Sequence, residues 1–129
     1  MEKEIKDLEN LLVECKKISI VTHFNPDGDA IGSSLALHHY LKSLNLVSNV
    51  ITPNRHPSFL DWVPGINDII IYDEDIEKSN QKLTDSDLIF TMDFNSLDRC
   101  GDLSSIINKE NQKIVMIDHH QLPENYADI

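Results

Sequence analysis

Residues 18–33, ISIVTHFNPDGDAIGS, force a particular local path on the chain. Ile18, Ile20 and Val21 form a short apolar run of the kind that makes a buried strand. Ala30, Ile31, Gly32 and Ser33 open a long helical pattern. Only a short loop separates them, bent by Pro26 and Gly28, so the strand passes almost directly into the helix. Such a loop lies at the carboxyl end of its strand, where open α/β sheets bind ligands. It holds His23, Asp27 and Asp29, one imidazole and two carboxylates within seven residues. That is a ligand set for a hard or borderline divalent metal. An Asp-Gly turn followed by an Asp helix cap uses the same residues without a metal. This stretch alone leaves both readings open.

Two further strand-like runs end in similar chemistry. Leu88–Met92 (LIFTM) delivers Asp93, and Lys113–Ile117 (KIVMI) delivers Asp118, His119 and His120. Parallel strands put such ends on one edge of a sheet. The remaining elements follow from periodicity. Ile5, Leu8, Leu11, Leu12 and Cys15 predict an amphipathic helix over residues 2–17. A second helix is expected from about Asp29 to Leu44, strands over 47–52 and 68–72, and helical stretches over 74–83 and 103–107. Pro53 stops the second strand. Alternating strands and helices with short connections predict an α/β domain, a mainly parallel five-stranded sheet flanked by helices. In the irregular segment 54–65, Phe59 and Trp62 are expected to pack locally rather than to form a base-stacking platform, since aromatics mostly serve cores. His38, His39 and His56 are expected to be surface or packing residues.

Composition narrows the function classes. At 129 residues, 40% hydrophobic and 26% charged, the chain fits one soluble domain. No apolar run approaches the length of a transmembrane helix. The charged, acidic start MEKEIKDLEN is no signal peptide. Cys15 and Cys100 lie far apart without metal-ligand spacing and read as reduced thiols. The expected location is cytoplasmic. A net charge of −11 argues against long nucleic acid, which calls for a basic footprint. Short nucleotides remain open, because bound cations can dominate the charge of a phosphate site.

HFNPDGDAIGS, MDFNSLDR and the Asp118-His119-His120 triplet, in that order, resemble the first three motifs of the DHH phosphoesterase superfamily. The flanking text, including SLALHHYLKSL and MIDHHQLPENYADI, is similar to its branch of bifunctional oligoribonucleases and adenosine-bisphosphate phosphatases. The resemblance runs from about Ile18 to the last residue. It implies two divalent metals, with manganese suited to mixed His and carboxylate ligation and magnesium or zinc also compatible. It implies that His23 and Asp27 bind one metal, that Asp29 and His119 bind the other, and that Asp93 bridges them. It places His120 beside the phosphate or leaving group, with Asp118 holding an imidazole from behind. Arg99 either pairs with a substrate phosphate or is an ordinary surface arginine.

The implied activity is hydrolysis of phosphodiester or phosphomonoester bonds in short oligoribonucleotides or a nucleotide bisphosphate. The alternatives are a cyclic-dinucleotide phosphodiesterase, a manganese pyrophosphatase, or a non-catalytic metal- or nucleotide-binding module. No membrane partner is expected, and homodimerisation is left open. Residues 1–129 are expected to be a partial N-terminal DHH domain, lacking the fourth motif and the C-terminal substrate-binding domain and therefore poorly active alone.

Overall fold

Two apolar runs, β1 (Ile18–Thr22) and β4 (Leu88–Met92), lie side by side at the centre of the sheet and are buried at every position. Strands covered on both faces read as continuous hydrophobic runs, which is how both were legible in the sequence. Their polar members find partners. Ser19 Oγ lies 2.6 Å from Ser86 Oγ, and Thr91 Oγ1 lies 2.8 Å from the Tyr126 hydroxyl. The computed structural model describes residues 1–129. Its other elements are α1 (Glu2–Glu14), α2 (Gly28–Ser43), β2 (Ser48–Thr52), β3 (Ile70–Ile71), α3 (Ile76–Asp85) and β5 (Lys113–Ile117).

The five strands are all parallel, in the order β3-β2-β1-β4-β5. The chain winds from β1 outward to β3, then returns to place β4 on the other flank of β1. That reversal between β1 and β4 is the topological switch point, where sheets of this class open a crevice. Two apolar clusters cover the two faces. Ile31, Leu35 and Leu41 of α2 join Ile18, Ile20, Leu88 and Phe90 on one face, with Leu8, Leu11 and Leu12 of α1 against them. Leu83, Cys100 and Leu103 join Val21, Ile89 and Ile114 on the other. Cys15 and Cys100 are free and buried, and burial pushes the Cys100 thiol up to about 12. No helix is long and apolar enough to cross a membrane.

The third strand is shorter than its apolar run. Residues Ile66–Asp68 form a 3₁₀ turn instead. The Asp68 N–H donates to Gly65 O at 3.0 Å and the Ile69 N–H to Ile66 O at 3.4 Å, so these donors are spent before the strand starts. Gly65 sets up that turn at φ +89°, where a Cβ would come within 3.1 Å of the His39 ring. The third helix starts two residues later than its periodicity implied, because the Asp75 carboxylate caps it by accepting from Lys78 N at 3.1 Å. Of the expected helix over 103–107, residues 103–105 close a kinked 3₁₀ segment, Leu97–Ser105, and residues 106 and 107 lie beyond it. At the outer edge of β5, Ile129 donates to Ile114 O and accepts from Met116 N, the bonding of a parallel neighbour.

Phe59 and Trp62 do not pack locally. They are 71% and 76% exposed, because Leu60 and Val63 take the inward positions of the same turn. His56 is buried, with Nε2 2.9 Å from Asp61 Oδ1. His38 lies 2.8 Å from Ser48 Oγ and His39 3.0 Å from Pro64 O, so all three histidines serve packing and turns.

Candidate metal centre

The carboxyl ends of β1, β4 and β5 converge. Past the end of β4, Asp93 adopts φ +64°, a left-handed conformation that Asp tolerates better than most residues because its short side chain can bond locally. Its N–H donates to Ile117 O at 2.9 Å, pinning it beside the last residue of β5. The turn buries the Asp93 carboxylate at the bottom of the crevice, 6% exposed. On one side, Asp93 Oδ2 lies 3.7 Å from His23 Nε2, which is itself 3.8 Å from Asp27 Oδ1. On the other side, Asp93 Oδ1 lies 3.2 Å from His119 Nε2 and 3.8 Å from His120 Nδ1. Asp29 Oδ2 approaches the same His119 nitrogen at 3.3 Å.

Two three-residue groups result, His23-Asp27-Asp93 and Asp93-His119-His120. Each brings its donor atoms within 4.8 Å of one another, and Asp93 belongs to both.

Local structure explains the aim of each side chain. His23 Nδ1 sits 2.7 Å from Phe24 O. A carbonyl only accepts, so Nδ1 donates to it and Nε2 is the nitrogen turned toward the carboxylates. Nε2 meets the two carboxylates at 3.7 and 3.8 Å, too long for hydrogen bonds, an arrangement suited to a shared cation. Asp27 caps α2, its Oδ1 accepting from Ala30 N at 3.0 Å. The cap thus falls on Asp27 of the Asp-Gly pair and not on Asp29, which lies inside the first turn of the helix, and the other Asp27 oxygen is still available. Asp118 accepts from His120 Nδ1 at 2.5 Å and from its backbone N–H at 3.1 Å. The 118–124 segment is tied down by Asn95, whose Nδ2 donates to Gln121 O and whose carbonyl accepts from Glu124 N, both at 2.8 Å.

The centre fits divalent cations on its own evidence. Asp93 Oδ1 is buried without a hydrogen-bond partner, and buried polar atoms in that state call for an explanation. Burial, and then the charges of Asp29 and Asp27, hold the Asp93 carboxyl above the usual carboxylate range. A cation between the two groups would relieve both the burial and the repulsion. The donors are imidazole and carboxylate, the mixture expected of manganese, zinc or magnesium sites.

Seven of the sequence-predicted site residues, all but Arg99, are brought together here. Arg99 is exposed on the Leu97–Ser105 segment, and its carbonyl accepts from Phe24 N at 2.7 Å. Sequence reasoning missed Met92, which with Ser33 lines a shallow cavity of about 180 Å3 beside Asp29, Asp93 and His119. Ser33 lies one helical turn beyond Asp29, a spacing that signals its presence on the same side of α2. It also missed Asn25 and Asn54, which exchange two 2.7 Å hydrogen bonds and clamp the β1–α2 loop to the segment after β2. Nothing local in the sequence links residues 29 positions apart. A larger cavity, about 700 Å3, lies elsewhere, along β3 beside Arg55, Asp61, Glu74 and Lys78. The shallower centre carries the chemistry, because ions are bound by converging donors and need no enclosed apolar volume.

Comparison with known proteins agrees with this geometry. The family described as DHH family, N-terminal domain, matches residues 17–129. Among solved structures, an exopolyphosphatase-related protein from Bacteroides fragilis superposes with a TM-score of 0.95 at 41% sequence identity. The match covers 100% of this chain and 38% of that one, so the chain spans well under half the length of that relative. A family match over most of the chain, with Asp93 and the Asp118-His119-His120 triplet at neighbouring strand ends, establishes that this chain belongs to the DHH family, in the region of its N-terminal domain.

Proposed function

We propose that this domain is the metal-binding half of a phosphoesterase that hydrolyses short oligoribonucleotides or a nucleotide bisphosphate by a two-metal mechanism. The observation that carries the reading is Asp93. Its buried carboxylate presents one oxygen to His23 and the other to His119 and His120. In this reading His23 and Asp27 would hold one cation and Asp29 and His119 the other, with Asp93 shared between the two groups. Divalent cations held there, manganese foremost, would neutralise charge on phosphoryl oxygens and lower the pKa of a bound water toward neutrality.

The chain's own residues supply position and proton control. Asp118 fixes the His120 ring through Nδ1, leaving Nε2 to meet the phosphate or its leaving oxygen. Asn95 holds the segment that presents both histidines. The first turn of α2 offers its free N–H groups to an anion.

A second reading, hydrolysis of inorganic pyrophosphate or polyphosphate, is favoured by the description of the Bacteroides fragilis protein as exopolyphosphatase-related. A substrate panel with manganese separates the two. A dinucleotide or nucleotide bisphosphate is expected to turn over faster than pyrophosphate, and the reverse order would overturn the substrate choice. Asp93→Ala is expected to lower activity far more than Asp68→Ala, which changes a residue on the Ile66–Asp68 turn. Equal losses would remove Asp93 from the bridging position. Calorimetry with manganese checks the metal reading separately: two sites are expected, and none would overturn it.

A further inference from the structure

The turn after β2 is firmly anchored and yet turns two aromatic side chains away from the core. Leu60 is buried, and its Cδ2 lies 3.9 Å from where a Gly28 Cβ would stand, so the turn rests on the first residue of α2, between Asp27 and Asp29. The Asn25–Asn54 pair clamps the start of the segment to the loop carrying His23 and Asp27. Arg55 donates to the Glu74 carboxylate with both Nε and a terminal nitrogen, at 2.6 and 2.5 Å. The buried His56 ring holds Asp61. Val63 packs on the core. Between these anchors Phe59 and Trp62 remain 71% and 76% exposed. A well-held turn that rests on the start of α2 and exposes Trp and Phe is not explained by packing, because each ring is left with most of its area in water.

We infer that Trp62, supported by Phe59, is the surface on which the base of a nucleotide substrate stacks when its phosphate is held at the Asp93 centre. The inference rests on the proposed phosphoesterase reading and deepens it by naming the surface that recognises the base. The complementarity is chemical. The donors at the strand ends serve cations and, through them, phosphate. A nucleobase is flat and uncharged, one ribose away from its phosphate, and has a π-face for any aromatic ring to meet. The chain as a whole is strongly acidic, which leaves stacking, rather than a basic groove, as the available sequence-tolerant contact. Trp62 is a specificity-determining residue in this assignment and does not touch the reacting atoms.

Trp62 is also the only tryptophan in the chain, so its emission reports on the site directly. The test uses the 129-residue chain with manganese, and compares AMP with ribose 5-phosphate, which carries a similar phosphate and no base. Calorimetry first measures manganese alone. Failure to bind it, or binding of manganese with neither phosphate ligand, overturns the proposed function and this inference together. With manganese bound, AMP is expected to bind about tenfold more tightly than ribose 5-phosphate. It is also expected to quench Trp62 emission excited at the red edge of the indole band, where adenine does not absorb. Trp62→Ala is expected to bring AMP to the affinity of ribose 5-phosphate while leaving ribose 5-phosphate itself unchanged. Trp62→Phe is expected to keep much of the preference. Equal affinities in the unaltered chain, or a preference that survives in the Trp62→Ala, Phe59→Ala double variant, overturn the inference and leave the metal–phosphate reading standing. Emission that responds to protein concentration and not to AMP assigns the turn to a second copy of the chain, and overturns it in the same way.

Discussion

Asp93 combines three costs at one residue: a left-handed backbone, a buried carboxylate, and an oxygen without a partner. Features of this kind persist where function requires them. Because its folded pKa is raised above the ordinary 3.8, the native state holds this proton more tightly than the unfolded state does. The stabilising effect of that proton is present below the unfolded pKa and is lost as pH rises through the folded pKa. In chelator, the metal-free chain should therefore lose stability as pH climbs through that window. Asp93→Asn removes the charge and keeps a residue that tolerates positive φ. It is expected to stabilise the metal-free chain at neutral pH by about 1 kcal/mol, while abolishing manganese binding. Thermal melts across pH with chelator check this; an Asn variant that melts lower than the unaltered chain at neutral pH would contradict it.

At the scale of the element, α2 and the centre share Asp27. One oxygen caps the helix through Ala30 N, and the same carboxylate belongs to the His23-Asp27-Asp93 group. The two roles separate by substitution. Asp27→Ala loses both, and the lost cap costs about 1 kcal/mol. Asp27→Ser keeps a good cap and loses the carboxylate. Both variants are expected to bind manganese at least tenfold more weakly, and only the Ala variant is expected to melt at a clearly lower temperature. Titration calorimetry and denaturant melts on the pair measure this. A Ser variant with unaltered manganese affinity would show that the carboxylate is not a ligand.

At the scale of the molecule, the centre joins elements that the chain separates widely. His23, Asp93 and His119 follow β1, β4 and β5, and nothing but the parallel sheet holds them together. A cation that bridges these strand ends stabilises the folded state and has no comparable site in the unfolded one. At about 100 times its dissociation constant, manganese should add about 2.7 kcal/mol, a rise in Tm of roughly 10 °C. Chelator should reverse the rise, and Asp93→Ala should abolish it. An unchanged Tm at saturating manganese would mean that the strand ends do not share an ion.

The sequence determined the strand ends and the groups they carry. Buried parallel strands are near-continuous apolar runs, and β1 and β4, buried throughout, and the edge strand β5 match their runs residue for residue. The donors follow those runs directly, so His23, Asp93 and the Asp118-His119-His120 triplet were legible without any coordinates. Tertiary structure decided what depends on distant partners. The order β3-β2-β1-β4-β5 placed Asp93 next to His23 although 70 positions separate them. Hydrogen bonding around Gly65 shortened β3, because turn donors cannot also serve a ladder. Leu60 and Val63 took the inward positions that left Trp62 in solvent. The Asn25–Asn54 clamp and the left-handed turn of Asp93 have no local signature, since each is imposed by neighbours that only the folded chain brings into contact.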